Sequence, residues 1–159
     1  MGIINTNLIK SVLHNLGVVL VGFILAFIAS GIDTLFGLKN FAAEPILLIG
    51  ILLIILGFSI RVWATYYFYI NKMKVIVLHT QNKLVTSGPF RFSRNPLYLG
   101  GNVFIFLGAS LALGTPVGVI ITILHLPIVD MMIRREETQL EKTFGKDWLE
   151  YKKKVHRWI

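Results

Sequence analysis

Four apolar stretches, each long enough or nearly long enough to cross a bilayer, constrain this chain more than any other feature. Val12 to Ile32 has the length a membrane-spanning helix needs, about 20 residues. Ile46 to Ile60 is a second run, broken by Arg61 and prolonged through Trp63, Tyr66, Tyr67, Phe68 and Tyr69. Leu97 to Leu113 and Val117 to Ile133 are the third and fourth, separated only by the tight break Gly114-Thr115-Pro116. A water-soluble domain of 159 residues, 55% of them hydrophobic, would have to expose much of that surface. The pattern predicts one all-α integral membrane domain, residues 1–159, with about four transmembrane helices, the last two a helical hairpin. Small residues after the first run (Ala29, Ser30, Gly31) would also suit a signal peptide. The run is longer than a usual h-region, so a retained helix is expected.

The cations set the orientation. The formal charge of +8 falls in segments that flank apolar runs, where anionic lipid headgroups are a simpler partner than nucleic acid. Lys72, Lys74, Lys83, Arg91 and Arg94 lie between the second and third runs, and further cations follow from Arg134. The first loop has only Lys39 and the Gly114 turn has none, so both termini and the middle loop are expected on the cytoplasmic side. His14 then sits at headgroup level, and the aromatic cluster from Trp63 to Tyr69 forms an interfacial belt. Arg61 either snorkels to headgroups or faces a polar cavity. In the tail, Phe144, Trp148, Tyr151 and Val155 make one apolar stripe among lysines. That is an amphipathic helix suited to an anionic membrane surface. Gly17, Gly22, Gly50 and Gly57 are places where helices can approach closely. With no cysteine and four scattered histidines, neither disulfides nor a metal site is expected.

Two polar features would share the cytoplasmic face. One is the loop from Asn71, with a short β-like run from Lys74 to Thr80 that suits a hairpin or an extended segment. It leads into Leu84 to Gly101, LVTSGPFRFSRNPLYLGG, where Gly88-Pro89 marks a turn and Asn95-Pro96 opens a helix. The other is Arg134-Arg135-Glu136-Glu137 at the end of the fourth run, with Asp130 just before it. On a helix, His125, Met132 and Glu136 share one face, and Asp130 and Glu137 another. Carboxylates buried at a helix end need partners. Either Glu136 or Glu137 pairs with Arg91 or Arg94 and ties the loop down, or a ligand carrying both signs of charge lies between them.

These two stretches, LVTSGPFRFSRNPLYLGG and REETQLEKTFGKDWLEYKKKV, resemble the isoprenylcysteine carboxyl methyltransferase and phospholipid methyltransferase superfamily of membrane enzymes. The resemblance covers about residues 75–155, with a helical hairpin between its two halves. It implies S-adenosylmethionine as cofactor, held by Asn82, Lys83, Leu84, Val85, Phe90, Asn95, Pro96, Leu97, Tyr98, Glu136 and Glu137. The acceptor it implies is lipidic or lipid-modified and comes from the bilayer. Asn95 stands where relatives often have His, Phe90 where many have Tyr, and Met132 where carboxylate-methylating relatives place an Arg; Arg134 or Arg135 is the available substitute. A cofactor with a sulfonium, an ammonium and a carboxylate needs both signs of charge around it. Glu136 suits the ammonium, and main-chain N–H groups at the Pro96 helix start suit the carboxylate. Methylating a carboxylate needs no base, whereas methylating a phospholipid or other amine does, with His125 or Asp130 as candidates. A nicotinamide-dependent sterol-type reductase and a non-catalytic membrane scaffold are the other readings left open.

Overall fold

The computed structural model describes residues 5–75 and 83–159. Five helices carry the chain: α1 (Thr6–Leu35), α2 (Glu44–Ile70), α3 (Pro96–Ala112), α4 (Pro116–Phe144) and α5 (Lys146–Lys154). No strand occurs among the described residues. Local chemistry explains the starts. Asn5 caps α1 by accepting from the Asn7 N–H at 3.1 Å, and Thr115 caps α4 through the Gly118 N–H at 3.1 Å. Prolines sit in the first turns of α2, α3 and α4, where no intrahelical N–H is needed.

Helices α1, α2 and α4, of 30, 27 and 29 residues, are apolar and longer than the roughly 20 residues a bilayer requires; α3 is the shorter fourth apolar helix. Their outward positions, among them Leu13, Leu20, Phe27, Leu52 and Leu124, stay exposed, as lipid-facing side chains do. This is a multi-pass membrane fold in which α3 and α4 form the expected hairpin. Its two ends are distinct. At one, Asn5 Nδ2 donates to the Tyr66 hydroxyl at 3.0 Å and the Arg94 N–H to the His156 carbonyl at 3.0 Å. At the other, the Asp33 carboxylate accepts from the Thr115 hydroxyl and the Val117 N–H, and the Phe41 N–H reaches the Gly114 carbonyl. The start of α1, the C-terminal tail and the segment before α3 therefore lie together, opposite the two turns.

Close packing of α2 on α3 fixes the centre. A Cβ on Gly50 would stand 2.7 Å from the Gly108 carbonyl oxygen, and one on Gly57 would run into that of Gly100. A Cβ on Gly22 would meet Ile105 and Phe106 of α3, whereas one on Gly17 would meet nothing within 4 Å among the described residues. Within α3, Leu99–Ile105 is wound as a π-helix, a widened turn often found at functional sites.

Three boundaries differ from expectation. Helix α1 runs on through Asp33, because that carboxylate finds donors at the start of α4. Helix α4 continues past Ile133 to Phe144 and stops only at Gly145, which takes a φ of 51°. The tail is thus divided, and the stripe on α5 turns inward: Trp148 and Tyr151 are buried within the chain rather than laid on a membrane. The β-like run falls largely on residues 76–82, outside the described residues.

Candidate functional site

The aromatic residues ending α2 provide a floor. Phe68 stacks on Phe90 with ring centres 5.4 Å apart and planes within 4°. Ala64, Met73, Val85 and Phe90 form a buried cluster, with Tyr67 and Leu97 against it. Gly88, at a φ of 62°, presents no side chain to the Tyr67 ring lying beneath it, and the following 3₁₀ turn (Gly88–Arg91) delivers Phe90 to Phe68. From above, the Tyr151 hydroxyl donates to the Phe90 carbonyl at 2.7 Å. Burial pushes the Tyr151 phenol pKa up, which keeps it a donor.

Charge pairing then ties this loop to α4. The Arg94 guanidinium donates to Glu137 at 2.9 Å and to the carbonyls of Lys152 and Val155, with its side chain 8% exposed. Arg157 pairs with Glu137 at 2.8 Å and with Asp130 at 3.0 Å. Its hydrogen bond to Glu137, reinforced by both carboxylates, raises its pKa further. Of the pairings expected between Glu136 or Glu137 and Arg91 or Arg94, Arg94 with Glu137 is present, while Arg91 is exposed.

Between loop and helix lies a cavity of about 310 Å³, within the usual range for small-molecule sites. Lys83, Leu84, Val85, Phe90, Asn95, Pro96, Leu97, Tyr98, Glu136 and Glu137 all line it. Asn82 lies outside the described residues. The Tyr98 hydroxyl donates to Glu136 Oε1 at 2.9 Å and orients that carboxylate. Four other residues singled out in the sequence do not line this cavity. Arg134 forms an ion pair with Asp130 at 2.6 Å, Arg135 is exposed beside Met131, and Asp130 is a half-buried partner of two arginines. His125 faces Asn102 at 3.3 Å and borders a smaller cavity toward α1.

Other lining residues were not among those expected to hold the cofactor. Trp148 is 2% exposed, and its indole N–H is the buried side-chain polar group without a hydrogen-bond partner among the described residues. At the other end, His14, Arg61 and Asn102 enter the lining from α1, α2 and α3. Arg61 is buried; Nε donates to Asn15 Oδ1 at 2.7 Å and Nη1 to the Leu97 carbonyl at 2.7 Å. Asn15 is held in turn by Thr65 and the Ser11 carbonyl, and Ser11 by Thr65. A lone cation in an apolar run was the available signal, and it faces a cavity rather than the headgroups.

Comparison with known proteins places this geometry in context. The sequence profile of the phospholipid methyltransferase family matches residues 45–147. The chain is 31% identical over 111 residues to a probable protein-S-isoprenylcysteine O-methyltransferase of Oryza sativa subsp. indica, covering 68% of this chain and 58% of the rice protein. The protein of the same name from Oryza sativa subsp. japonica matches to the same extent. An uncharacterized protein of Haemophilus influenzae is 49% identical over 55 residues, 35% of this chain and 79% of that protein. The chain spans 58% of the length of the two rice relatives. No solved structure matches it.

Proposed function

Because the chain belongs to the phospholipid methyltransferase family, we propose that it is a membrane methyltransferase using S-adenosylmethionine. Its acceptor would be the carboxylate of a lipidic or lipid-modified molecule; the rice relatives are named as probable protein-S-isoprenylcysteine O-methyltransferases. The observation that carries this reading is the cavity itself. It joins the Glu136 carboxylate, an apolar floor and a buried indole N–H lacking a partner among the described residues, so it offers an acceptor, an apolar surface and a donor to one ligand. These groups fit a cofactor bearing an ammonium, an adenine and a carboxylate.

Glu136, oriented by Tyr98, would hold the ammonium, and the first-turn N–H groups of α3 the carboxylate. Leu84, Val85 and Phe90 would exclude water, and the Arg94–Glu137 pair would hold the loop closed against α4. When bound, the cofactor supplies an electrophilic methyl group for an in-line displacement, so alignment by the chain is the main requirement. A carboxylate acceptor needs no proton removed. N-methylation of an amine is the second reading, favoured by His14, which lines the inner end and could take that proton. We place the cation-rich end in the cytoplasm, with cofactor entering there and acceptor arriving from the bilayer between helices. The cofactor-binding core would comprise about residues 75–155 of a single membrane domain.

Equilibrium binding of radiolabelled S-adenosylmethionine to the purified protein tests this, with Glu136→Ala expected to weaken binding at least about tenfold. Binding of a nicotinamide nucleotide instead would sink the reading in favour of a reductase, and binding of neither would favour a scaffold. Mass spectrometry of lipid extracts, seeking a gain of one methylene, identifies the acceptor.

A further inference from the structure

The inner end of the cavity holds a cation with no counter-charge. Salt bridges among the described residues involve Arg94, Arg134, Lys152 and Arg157, and none reaches Arg61. Residues 1–4 and 76–82 contain no Asp or Glu that could supply one. A buried arginine inside an apolar helix is ordinarily paired, since leaving its charge uncompensated is costly. Here its partners are neutral: the Asn15 amide oxygen and the Leu97 carbonyl. Nothing among the described residues accepts from Nη2.

The side chain is also built into place. Gly100 and Gly101 of the π-helical turn leave room for it, for a Cβ on either would come within 2.7 Å of Arg61 Cγ or Nη1. Asn15, fixed by Thr65, clamps it from α1. Arg61 lies seven residues before Phe68 on α2, about 10 Å deeper than the loop floor. It touches the first turn of α3 through the Leu97 carbonyl and lies on the deeper side of that turn, from which a bilayer-borne molecule would come.

We propose that Arg61 is the acceptor-binding cation, holding a carboxylate or phosphate at the polar tip of an apolar molecule. This rests on the methyltransferase reading for the word acceptor, though not for the anion site. Its fixed guanidinium fork suits two oxygens of one anion.

The test uses the full chain in nanodiscs of phosphatidylcholine, with tritiated palmitate as probe. Saturable binding is expected, displaced by dodecyl phosphate but not by methyl palmitate or hexadecylamine. Tighter binding of palmitate than of dodecyl phosphate assigns a carboxylate, and the reverse order a phosphate headgroup; either supports the site. Arg61→Gln should weaken palmitate binding at least about tenfold and S-adenosylmethionine binding by a much smaller factor. Arg61→Lys, which keeps the charge and loses the fork, should fall between. Should Arg61→Gln fail to fold, Gly101→Ala displaces the guanidinium without removing it and should also weaken palmitate binding. Equal competition by methyl palmitate, or wild-type palmitate binding in Arg61→Gln, overturns the proposal. So does an Arg61→Gln protein that loses S-adenosylmethionine and keeps palmitate, which would make Arg61 a cofactor residue. Anion selectivity without any S-adenosylmethionine binding would leave this site standing and remove the methyltransferase reading alone.

Discussion

Arg94 and Arg61 are both buried beside the same cavity, yet their surroundings differ in kind. Arg94 sits in a closed network with Glu137, Arg157 and Asp130, where charges of both signs alternate. Arg61 sits among neutral dipoles from Asn15 and Leu97. A carboxylate cancels a guanidinium's field as well as satisfying its N–H groups, whereas an amide or carbonyl oxygen satisfies N–H groups and leaves the charge. The first cluster is therefore complete without a ligand, and the second leaves a positive potential that an anion can occupy. Adjacent carboxylates on α4 also differ in their partners. Glu137 pairs with two arginines, while Glu136, about 100° around the helix from it, accepts from the Tyr98 hydroxyl, and both line the cavity.

The strongest way to break this comparison is to remove one charge from each cluster. Glu137→Ala strands Arg94 and Arg157 without their shared carboxylate, and a stability loss of about 3–5 kcal/mol is expected in thermal or denaturant unfolding. Arg61→Met strands only two neutral acceptors and removes a charge that lacked compensation, so about 1–2 kcal/mol is expected. Equal losses would mean that Arg61 is structurally compensated after all, and the contrast between the clusters would fail.

A neutral tie of the loop provides the next step down. Tyr151→Phe leaves the Phe90 carbonyl without its donor and should cost about 1 kcal/mol. The same residue gives a pH signature. Its phenol pKa is raised by burial above the unfolded value of about 10, so the folded chain binds the proton more tightly. That stabilisation is complete below about pH 10 and is lost as pH rises toward the folded pKa. Alkaline unfolding of wild type should accordingly show a loss of stability in that window that Tyr151→Phe lacks.

The sequence disclosed the helices because a long apolar run has few other outcomes in a membrane. It did not disclose where α4 ends. Arg134 to Phe144 is polar yet equally able to stay helical, and only the conformation of Gly145 stops it. The tail stripe was legible as a stripe, but a stripe carries no information on what covers it; Trp148 and Tyr151 meet the loop and not lipid. The loop and carboxylate walls of the cavity were legible because their residues are close in sequence and in a recognisable order. The inner end was not, since His14, Arg61 and Asn102 come from three helices whose packing depends on glycine contacts such as Gly57 with Gly100. The charge of Arg61 within an apolar run was the one trace of it.

Trp148 makes the finest test, because it is the uncharged counterpart of Arg61: a buried donor lining the cavity with no partner among the described residues. Trp148→Phe keeps an aromatic ring beside Tyr151, whose ring centre lies 5.7 Å away, and beneath the Arg94 guanidinium at 5.8 Å. It deletes the N–H and some volume. If the N–H serves a ligand, the empty protein loses only packing, no more than about 1 kcal/mol, because no hydrogen bond within the chain is broken. S-adenosylmethionine binding should then weaken about fivefold, the worth of one neutral hydrogen bond. Unchanged binding would restrict the rule that an uncompensated buried group marks a ligand to the charged case, where the cost of leaving it unmet is greatest. A fivefold loss with stability preserved would extend it to both ends of the cavity.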